Sequence, residues 1–556
     1  MFLQKHRIIN KCQLGFTKKA RTSDHLFILK CILDQYCNSK DGRVFACFVD
    51  FQKAFDTIIH TGIKIKLLKI GVGSLFYRTI KNMYEISKSC VKIQSHITDF
   101  FPTKLGVKQG DNLSPNLFKV FINDLPDYLE NTLDPILLNG KPLHCLMYAD
   151  DIILLSSSAK GLQEKLNILG KYCDDWCLTV NPIKTKIMVF NKAGRHIHLT
   201  FNYKNHALDC VQHYKYLGVY FSASGSFSFA QNELYKKGLK AYFKLQKDFL
   251  AFNPSLKTSM HVFDHTIKPI LLYGSEIWGS FNTNTPKFRN GPLDFDKVYN
   301  KLVSDKLHVK FCKQILGVHK KTTNFAVLSE LGRFPIHFDI VKNIVNYWIR
   351  LENLDNFPLL QDAYIQSKKL NDQHKSSWYG SLRLLLSNIP KLANIGRSKI
   401  SKDFVKKAIK EIYLIFWKKQ LTERSSGKLR TYLKFKTNPG FENYLSIVQS
   451  FELRRSLTKF RVSAHRLEIE SGRYRGIPPQ QRFCKRCDSG EVEDEIHFLI
   501  CCSKFNDNRE QLFVSISKTC KNFVNLNTHE KFIWLVNCED PLILKDLCKF
   551  MSQNCK

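Results

Sequence analysis

Two adjacent carboxylates, Asp150 and Asp151, stand between two apolar runs, His144-Cys145-Leu146-Met147-Tyr148 and Ile152-Ile153-Leu154-Leu155. Each run has the length of a buried strand, and the acids fall where a hairpin would turn. Like charges at the junction of two covered strands repel each other and lose hydration. A hard divalent cation is the commonest way to keep both ionised; two solvated acids on an exposed turn are the alternative. A second apolar run, Val44 to Val49, ends at Asp50 and delivers another carboxylate. The other chemical cluster is Cys484-Lys485-Arg486-Cys487, followed by His497-Phe498-Leu499-Ile500-Cys501-Cys502. A Cys-x-x-Cys followed by His and Cys makes a closed tetrahedral zinc set of three sulfurs and one nitrogen. A reduced, metal-free helix pair is the alternative.

These groups need a scaffold. Leu26-Phe27-Ile28-Leu29 starts a helix that Ser23 or Asp24 can cap, behind a loop carrying Lys18, Lys19 and Arg21. After Asp50, a helical pattern runs through Ile63, Leu67, Leu68 and Ile70 and stops at Gly71. Residues 90–104 read as strand. Gly106-Val107-Lys108-Gln109-Gly110-Asp111 is a glycine-bearing loop, and Pro115 suits the first turn of the helix that follows. Residues 161–180 form an amphipathic helix in which Cys173 and Cys177, a turn apart, read as core. Asn181-Pro182 breaks it, Lys184-Thr185-Lys186 precedes a strand from Ile187 to Phe190, and a hairpin covers His213 to Phe221. Residues 226–340 are helical and basic, with Lys236, Lys237, Lys240, Lys244 and Lys247. Further helices with polar joints such as Ser425-Ser426-Gly427-Lys428 fill 341–475.

A chain of 556 residues is too long for one compact core and implies three or four units. Lys and Arg number 85 against 49 Asp and Glu, a formal charge of +36 spread along the chain, so the expected partner is a polyanion, most often nucleic acid. Nothing reads as a secretory signal or a span of about 20 apolar residues, so the 18 cysteines are expected to be reduced and intracellular.

The motifs in this order resemble the reverse transcriptases of non-LTR (LINE-type) retrotransposons. Val49-Asp50-Phe51-Gln52-Lys53-Ala54-Phe55-Asp56 looks like polymerase motif A, Gly106 to Leu117 like motif B, Tyr148-Ala149-Asp150-Asp151 like motif C, Lys184-Thr185-Lys186 like motif D, and Tyr214 to Phe221 like the primer-grip hairpin. Thr17 stands where Arg is common after a Gly-Phe pair, and Asp111 where Cys is common. The first fingers motif and the upstream endonuclease are missing, as in a partial copy.

The resemblance implies an α+β, right-hand polymerase with fingers, an antiparallel palm sheet and a thumb, then a helical region and a small C-terminal zinc-binding region. The corresponding segments are 1–225 for partial fingers and palm, 226–340 for the thumb, 341–475 for the helical region and 476–556 for the zinc region. It implies RNA-directed DNA polymerisation from a primer 3′-hydroxyl; a catalytically inactive nucleic-acid-binding remnant is the alternative. Two Mg²⁺ ions would be held by Asp50, Asp150 and Asp151. The Phe51 carbonyl, Gln109 and Gly110 would meet the nucleotide, Phe55 would bar a 2′-hydroxyl, and Lys184 would protonate pyrophosphate. One structural Zn²⁺ would take Cys484, Cys487, His497 and, by the family pattern, Cys502 rather than Cys501, with Lys485 and Arg486 beside it facing nucleic acid. Partners would be an RNA template, a DNA primer or target and deoxynucleotides, without a membrane, in a nuclear and cytoplasmic ribonucleoprotein.

Overall fold

The computed structural model describes residues 3, 6, 8–281, 302–354, 356–393, 400–423 and 427–555. Ser425 and Ser426 of the polar joint lie outside the described residues. At the centre is β1 (Arg43–Val49), buried at every position after Arg43. A strand covered on both faces is apolar throughout rather than alternating, which is why Val44 to Val49 carries no polar residue. The strand order is β5-β6-β4-β1-β3-β2, where β2 is Cys145–Tyr148, β3 Asp151–Ser156, β4 Lys186–Asn191, β5 Phe201–Tyr203 and β6 His206–Cys210. β1 pairs antiparallel with β3 (Val49 opposite Ile152) and with β4 (Phe48 opposite Lys186).

The sheet is not wholly antiparallel, contrary to the expectation for the palm. β6 runs parallel to β4, Lys186 facing Asp209 and Ile187 facing Cys210. The reason is local: β5 and β6 form a hairpin whose return strand lies along β4, so β6 runs in the same direction as the strand beside it.

Helix α1 (Thr22–Tyr36) packs on β1 and β2, and α2 (Ala159–Asp175) on β1 and β3. Asp24 does not cap α1 as its first residue. It is the third residue of the helix, accepts from the Arg21 N–H at 2.8 Å, and is fully buried. The Arg350 guanidinium donates to both its oxygens (2.5 and 2.8 Å) and the Tyr347 hydroxyl donates at 3.0 Å. Both partners come from α3 (Ile336–Glu352), more than 320 residues away in sequence. Burial pushes the Asp24 carboxyl above its ordinary range despite the Arg350 charge. Cys173 is buried as expected, but Cys177 is exposed, because α2 ends at Asp175 and Cys177 turns away with φ 53°. Residues 90–104 form short, exposed two-residue strands rather than one long strand. No helix among the described residues is long and apolar enough to cross a membrane.

Beyond the sheet, a second buried charge hub holds the C-terminal half. Arg461, 2% exposed, donates to Glu330 (2.9 Å), Glu442 (2.5 Å) and the Val536 carbonyl. Breaking a buried ion pair from one side strands the other charge, at a cost of about 3–5 kcal/mol. Arg350→Met, which removes the partner of the fully buried Asp24, is therefore expected to lower unfolding free energy by about 3 kcal/mol in denaturant titration. An unchanged midpoint would show that the α1–α3 contact does not depend on the pair.

Candidate active site

Three carboxylates meet at one end of the sheet. Asp50 follows the last residue of β1, Asp150 is in the β2–β3 turn, and Asp151 opens β3. Because Val49 faces Ile152, the next residues in register are Asp50 and Asp151. Burial of the surroundings and the Asp50 charge push the Asp150 carboxyl up. Asp151 rises to about 6, through desolvation first and then repulsion from Asp150 and Asp50. Asp150 and Asp151 nevertheless reach solvent at their tips. A low-dielectric wall behind them and water in front accounts for both observations. Oxygen donors crowded until they repel are a fitting set for hard divalent cations.

The turn that carries Asp150 is clamped by residues that sequence reasoning did not single out for this role. Ala149 has φ 58°, a left-handed conformation uncommon for a residue with a side chain. Gln13, 1% exposed, holds it there: its Oε1 accepts from the Ala149 N–H (3.0 Å) and the Gly15 N–H (2.8 Å), and its Nε2 donates to the Ala149 carbonyl at 3.4 Å. The backbone beside it bonds to β2, Leu14 N–H to Met147 O at 3.0 Å and Met147 N–H to Cys12 O at 2.9 Å. A Cβ on Gly15 would lie 2.2 Å from the Ala149 nitrogen, so glycine is required for this approach. Gln13-Leu14-Gly15 was visible in the sequence, but nothing local shows its partner 136 residues away.

Asp50 is fixed by the turn before β4. Its N–H donates to the Thr185 hydroxyl (3.1 Å) and its carbonyl accepts from the Asn181 N–H (2.7 Å). Lys184 is the neighbour of that buried threonine; its side chain is exposed and its N–H bonds to Asn181 Oδ1 at 3.3 Å. Phe51 is buried and bridges Val180. Phe55 is half-buried, stacked on Phe118 with ring centroids 4.5 Å apart. Phe118 belongs to α4 (Ser114–Phe121), which has Pro115 in its first turn. The loop before α4 is tied to the same segment: the Val107 N–H donates to the Phe55 carbonyl (2.8 Å), and Gln109 Nε2 to Asp56 Oδ1 (2.8 Å). Gln109 and Gly110 are exposed, and Gly110 has φ 86° with open space where a Cβ would be. A hairpin of β7 (His213–Tyr216) and β8 (Val219–Ser222) closes the back, Tyr214 stacking on Phe48 at 4.1 Å.

Farther along the chain, Cys484, Cys487, His497 and Cys502 come together with one ligand atom from each, all within 4.8 Å of one another. Cys484 and Cys502 sulfurs are 3.9 Å apart, and Cys487 Sγ lies 3.4 Å from His497 Nε2. Tetrahedral zinc bonds would set such edges at about 3.8 and 3.5 Å, so the donor set fits that ion. The other imidazole nitrogen, Nδ1, is 2.7 Å from Glu491, the carboxylate–histidine pairing that fixes a ligand's orientation. Cys501 is exposed. The cause is a π-helical turn, His497–Cys501, closed by the Cys502 N–H on the His497 carbonyl at 2.7 Å. That turn moves the inward position one residue on. Beside the cluster, Lys485 pairs with Glu468 (3.3 Å), and Arg486 with Glu493 (2.9 Å) and the Asn554 carbonyl (3.2 Å), both side chains still reaching solvent.

A mixed sheet whose central strands end in clustered acids, with a glycine-bearing loop and a hairpin packed around them, is the fold of a palm-type nucleic-acid polymerase. Residues 1–221 match the family described as reverse transcriptase (RNA-dependent DNA polymerase). The chain is 30% identical over 295 residues to the probable RNA-directed DNA polymerase from transposon BS of Drosophila melanogaster, covering 50% of this chain and 31% of that one. It is 25% identical over 281 residues to the RNA-directed DNA polymerase from mobile element jockey of the same fly, covering 49% and 30%. It is 24% identical over 230 residues to the Pol polyprotein of a type-1 R2 element from Nasonia vitripennis, covering 40% and 22%. Residues 1–221 are thus similar to reverse transcriptases, among them those of LINE-type elements, and the chain spans less than a third of the length of these relatives.

The acid cluster carries a pH signature. Asp151 has a folded-state pKa above its unfolded value, so the burial of its charge and, second, its repulsion from Asp150 and Asp50 cost stability above about pH 6, a cost relieved as pH falls toward 4. In chelator, Asp150→Asn is expected to raise the thermal midpoint at pH 7.5 and to change it little at pH 4.5. A midpoint that falls at pH 7.5 would show that the acids do not repel.

Proposed function

We propose that this chain is the RNA-directed DNA polymerase of a non-LTR retrotransposon. The observation that carries the reading is the convergence of Asp50, Asp150 and Asp151, a hundred residues apart in sequence, at one sheet end within a reverse transcriptase match. Asp50, Asp150 and Asp151 would hold two Mg²⁺ ions between them. Magnesium bound there supplies Lewis-acid stabilisation of the attacking and leaving oxygens in phosphoryl transfer.

The chain's own groups then have defined tasks. The Phe51 carbonyl would help hold the nucleotide's metal, and Gln109 and Gly110 line the nucleotide and template pocket. Anchored by Asp56, Gln109 presents a fixed amide, and Gly110 leaves room for a nucleotide backbone. Phe55, stacked on Phe118, cannot swing away from the sugar, so it excludes a 2′-hydroxyl and favours deoxynucleotides. Lys184 delivers a proton to the departing pyrophosphate. The Gln13 clamp holds the Asp150 turn at the angle these contacts need. Cys484, Cys487, His497 and Cys502 hold one Zn²⁺ with no open position, a structural role. The expected partners are template RNA, primer or target DNA and deoxynucleotides, in a ribonucleoprotein found in nucleus and cytoplasm.

Extension of a DNA primer annealed to RNA, with Mg²⁺, tests the reading. Asp150→Asn is expected to reduce extension by at least about 10³-fold while primer–template affinity stays within about twofold, because binding rests on many backbone contacts. A wild-type protein that binds the duplex and never extends it would support the inactive remnant instead. Metal analysis of the purified full chain tests the second site: one zinc per chain in wild type and in Cys501→Ser, and loss in Cys502→Ser. Loss in Cys501→Ser with retention in Cys502→Ser would reverse the ligand assignment.

A further inference from the structure

The matched family ends at residue 221, and the cations beyond it are not evenly spread. The loop 316–321 follows the helix Val303–Ile315 and carries exposed Lys320 and Lys321. On one side Lys313 donates to the Lys320 carbonyl at 2.7 Å. On the other Arg455, from the helix Phe451–Arg461, donates to the Gly317 carbonyl at 2.8 Å. The loop is thus the meeting point of two basic groups. Lys313 faces Lys428, and Lys459, a turn after Arg455, faces both Arg455 and Arg466. Among the described residues none of these seven side chains forms an ion pair, unlike Lys485 and Arg486. The crowding has a cost: Lys313 is drawn down to about 8 by burial and by the Lys428 charge, and Lys459 is lowered by burial and by its two arginine neighbours.

Aromatic rings sit within the same surface. Phe451 is 45% exposed, with the Arg454 guanidinium 5.9 Å from its ring centre and its edge against Gly317. Tyr474 is 68% exposed, with Arg473 at 5.3 Å; Arg473 pairs with Glu470 at 3.4 Å, and both face Lys428. Exposed cations that exceed the one acid among them, Glu470, interleaved with open aromatic faces, match the chemistry of a single strand: phosphates answer the charges and unpaired bases stack on the rings. A duplex offers the phosphates but hides the base faces.

We propose that the surface centred on the loop 316–321 binds single-stranded RNA, the part of the template that is not yet paired. The choice of RNA rests on the polymerase reading above; the choice of a single strand rests on the exposed rings. Binding is measured without nucleotides, so it is independent of whether the chain polymerises.

The test is fluorescence anisotropy of the full-length protein with an unstructured 20-nucleotide RNA, the same sequence as single-stranded DNA, and a DNA duplex, each titrated with salt. The triple variant Lys320→Ala, Lys321→Ala, Arg466→Ala is expected to weaken RNA binding by about tenfold and to lower the log–log salt slope by about 2, at roughly 0.7 per phosphate contact on a single strand. Phe451→Ala with Tyr474→Ala is expected to weaken it by at least about fivefold with the slope unchanged, because stacking releases no counterions. All five positions are exposed, and Lys320→Arg with Lys321→Arg keeps the charge and should keep the affinity. Extension on a fully paired primer–template should stay within about twofold of wild type. Unchanged affinity and slope in the triple variant, or a loss as large on duplex or larger on the DNA strand, overturns the proposal. Wild-type extension that persists alongside such a result leaves the polymerase reading standing.

Discussion

Like-charge repulsion at the end of the central sheet is the constraint on which the rest of this structure depends. Asp50, Asp150 and Asp151 are brought together by strand register, and the wall behind them prevents water from fully screening them. Left to itself, such a cluster would open. It is held by neutral hydrogen bonds from outside the acids: Thr185 and Asn181 on the Asp50 backbone, and Gln13 on the turn that carries Asp150. Neither set adds charge to the site, so the acids keep their full appetite for cations. The geometry is stored in the backbone, including a left-handed Ala149 that a free hairpin would not favour.

Much of this arrangement was legible in the sequence because it is written in short-range signals. Apolar runs ending in acids mark β1, β2 and β3, Pro115 marks the start of α4, and Cys-x-x-Cys with a following His marks the cluster at residues 484–502. What was not legible depends on contacts between distant segments. Asp24 does serve the helix start, accepting from the Arg21 N–H, but nothing near it in sequence shows that it also takes an arginine from α3. The parallel pairing of β6 follows from how a later hairpin folds back, which alternation cannot reveal. The acids that pair with Lys485 and Arg486 could not be read from the residues around the cysteines either. Cys177 looked like core from helical spacing, and the helix simply ends before it.

Two arginines, Arg461 buried and Arg350 nearly so, divide the labour of holding a long chain together. Arg350 fastens the helix beside the sheet to α3, and Arg461 fastens Glu330 to Glu442 and to the Val536 carbonyl. Ion pairs so deeply buried contribute little net stability over well-packed apolar groups. Their value lies in specificity: each guanidinium fits one arrangement of carboxylates and carbonyls, so alternative packings of these helices leave a charge without partners.

Arg461 also bears on how separable the C-terminal region is. Val536 lies beyond the cysteine and histidine cluster, whereas Arg461 and Glu330 lie before it. A cut between them would not release a finished module. It would leave Arg461 without one acceptor and open apolar surface on the helix from 528 to 536. The region that carries the cluster therefore behaves less like a bead on a string than like the last course of an arch, set only when the stones before it are in place. Transplanting it onto another chain would require carrying its arginine and the two glutamates along.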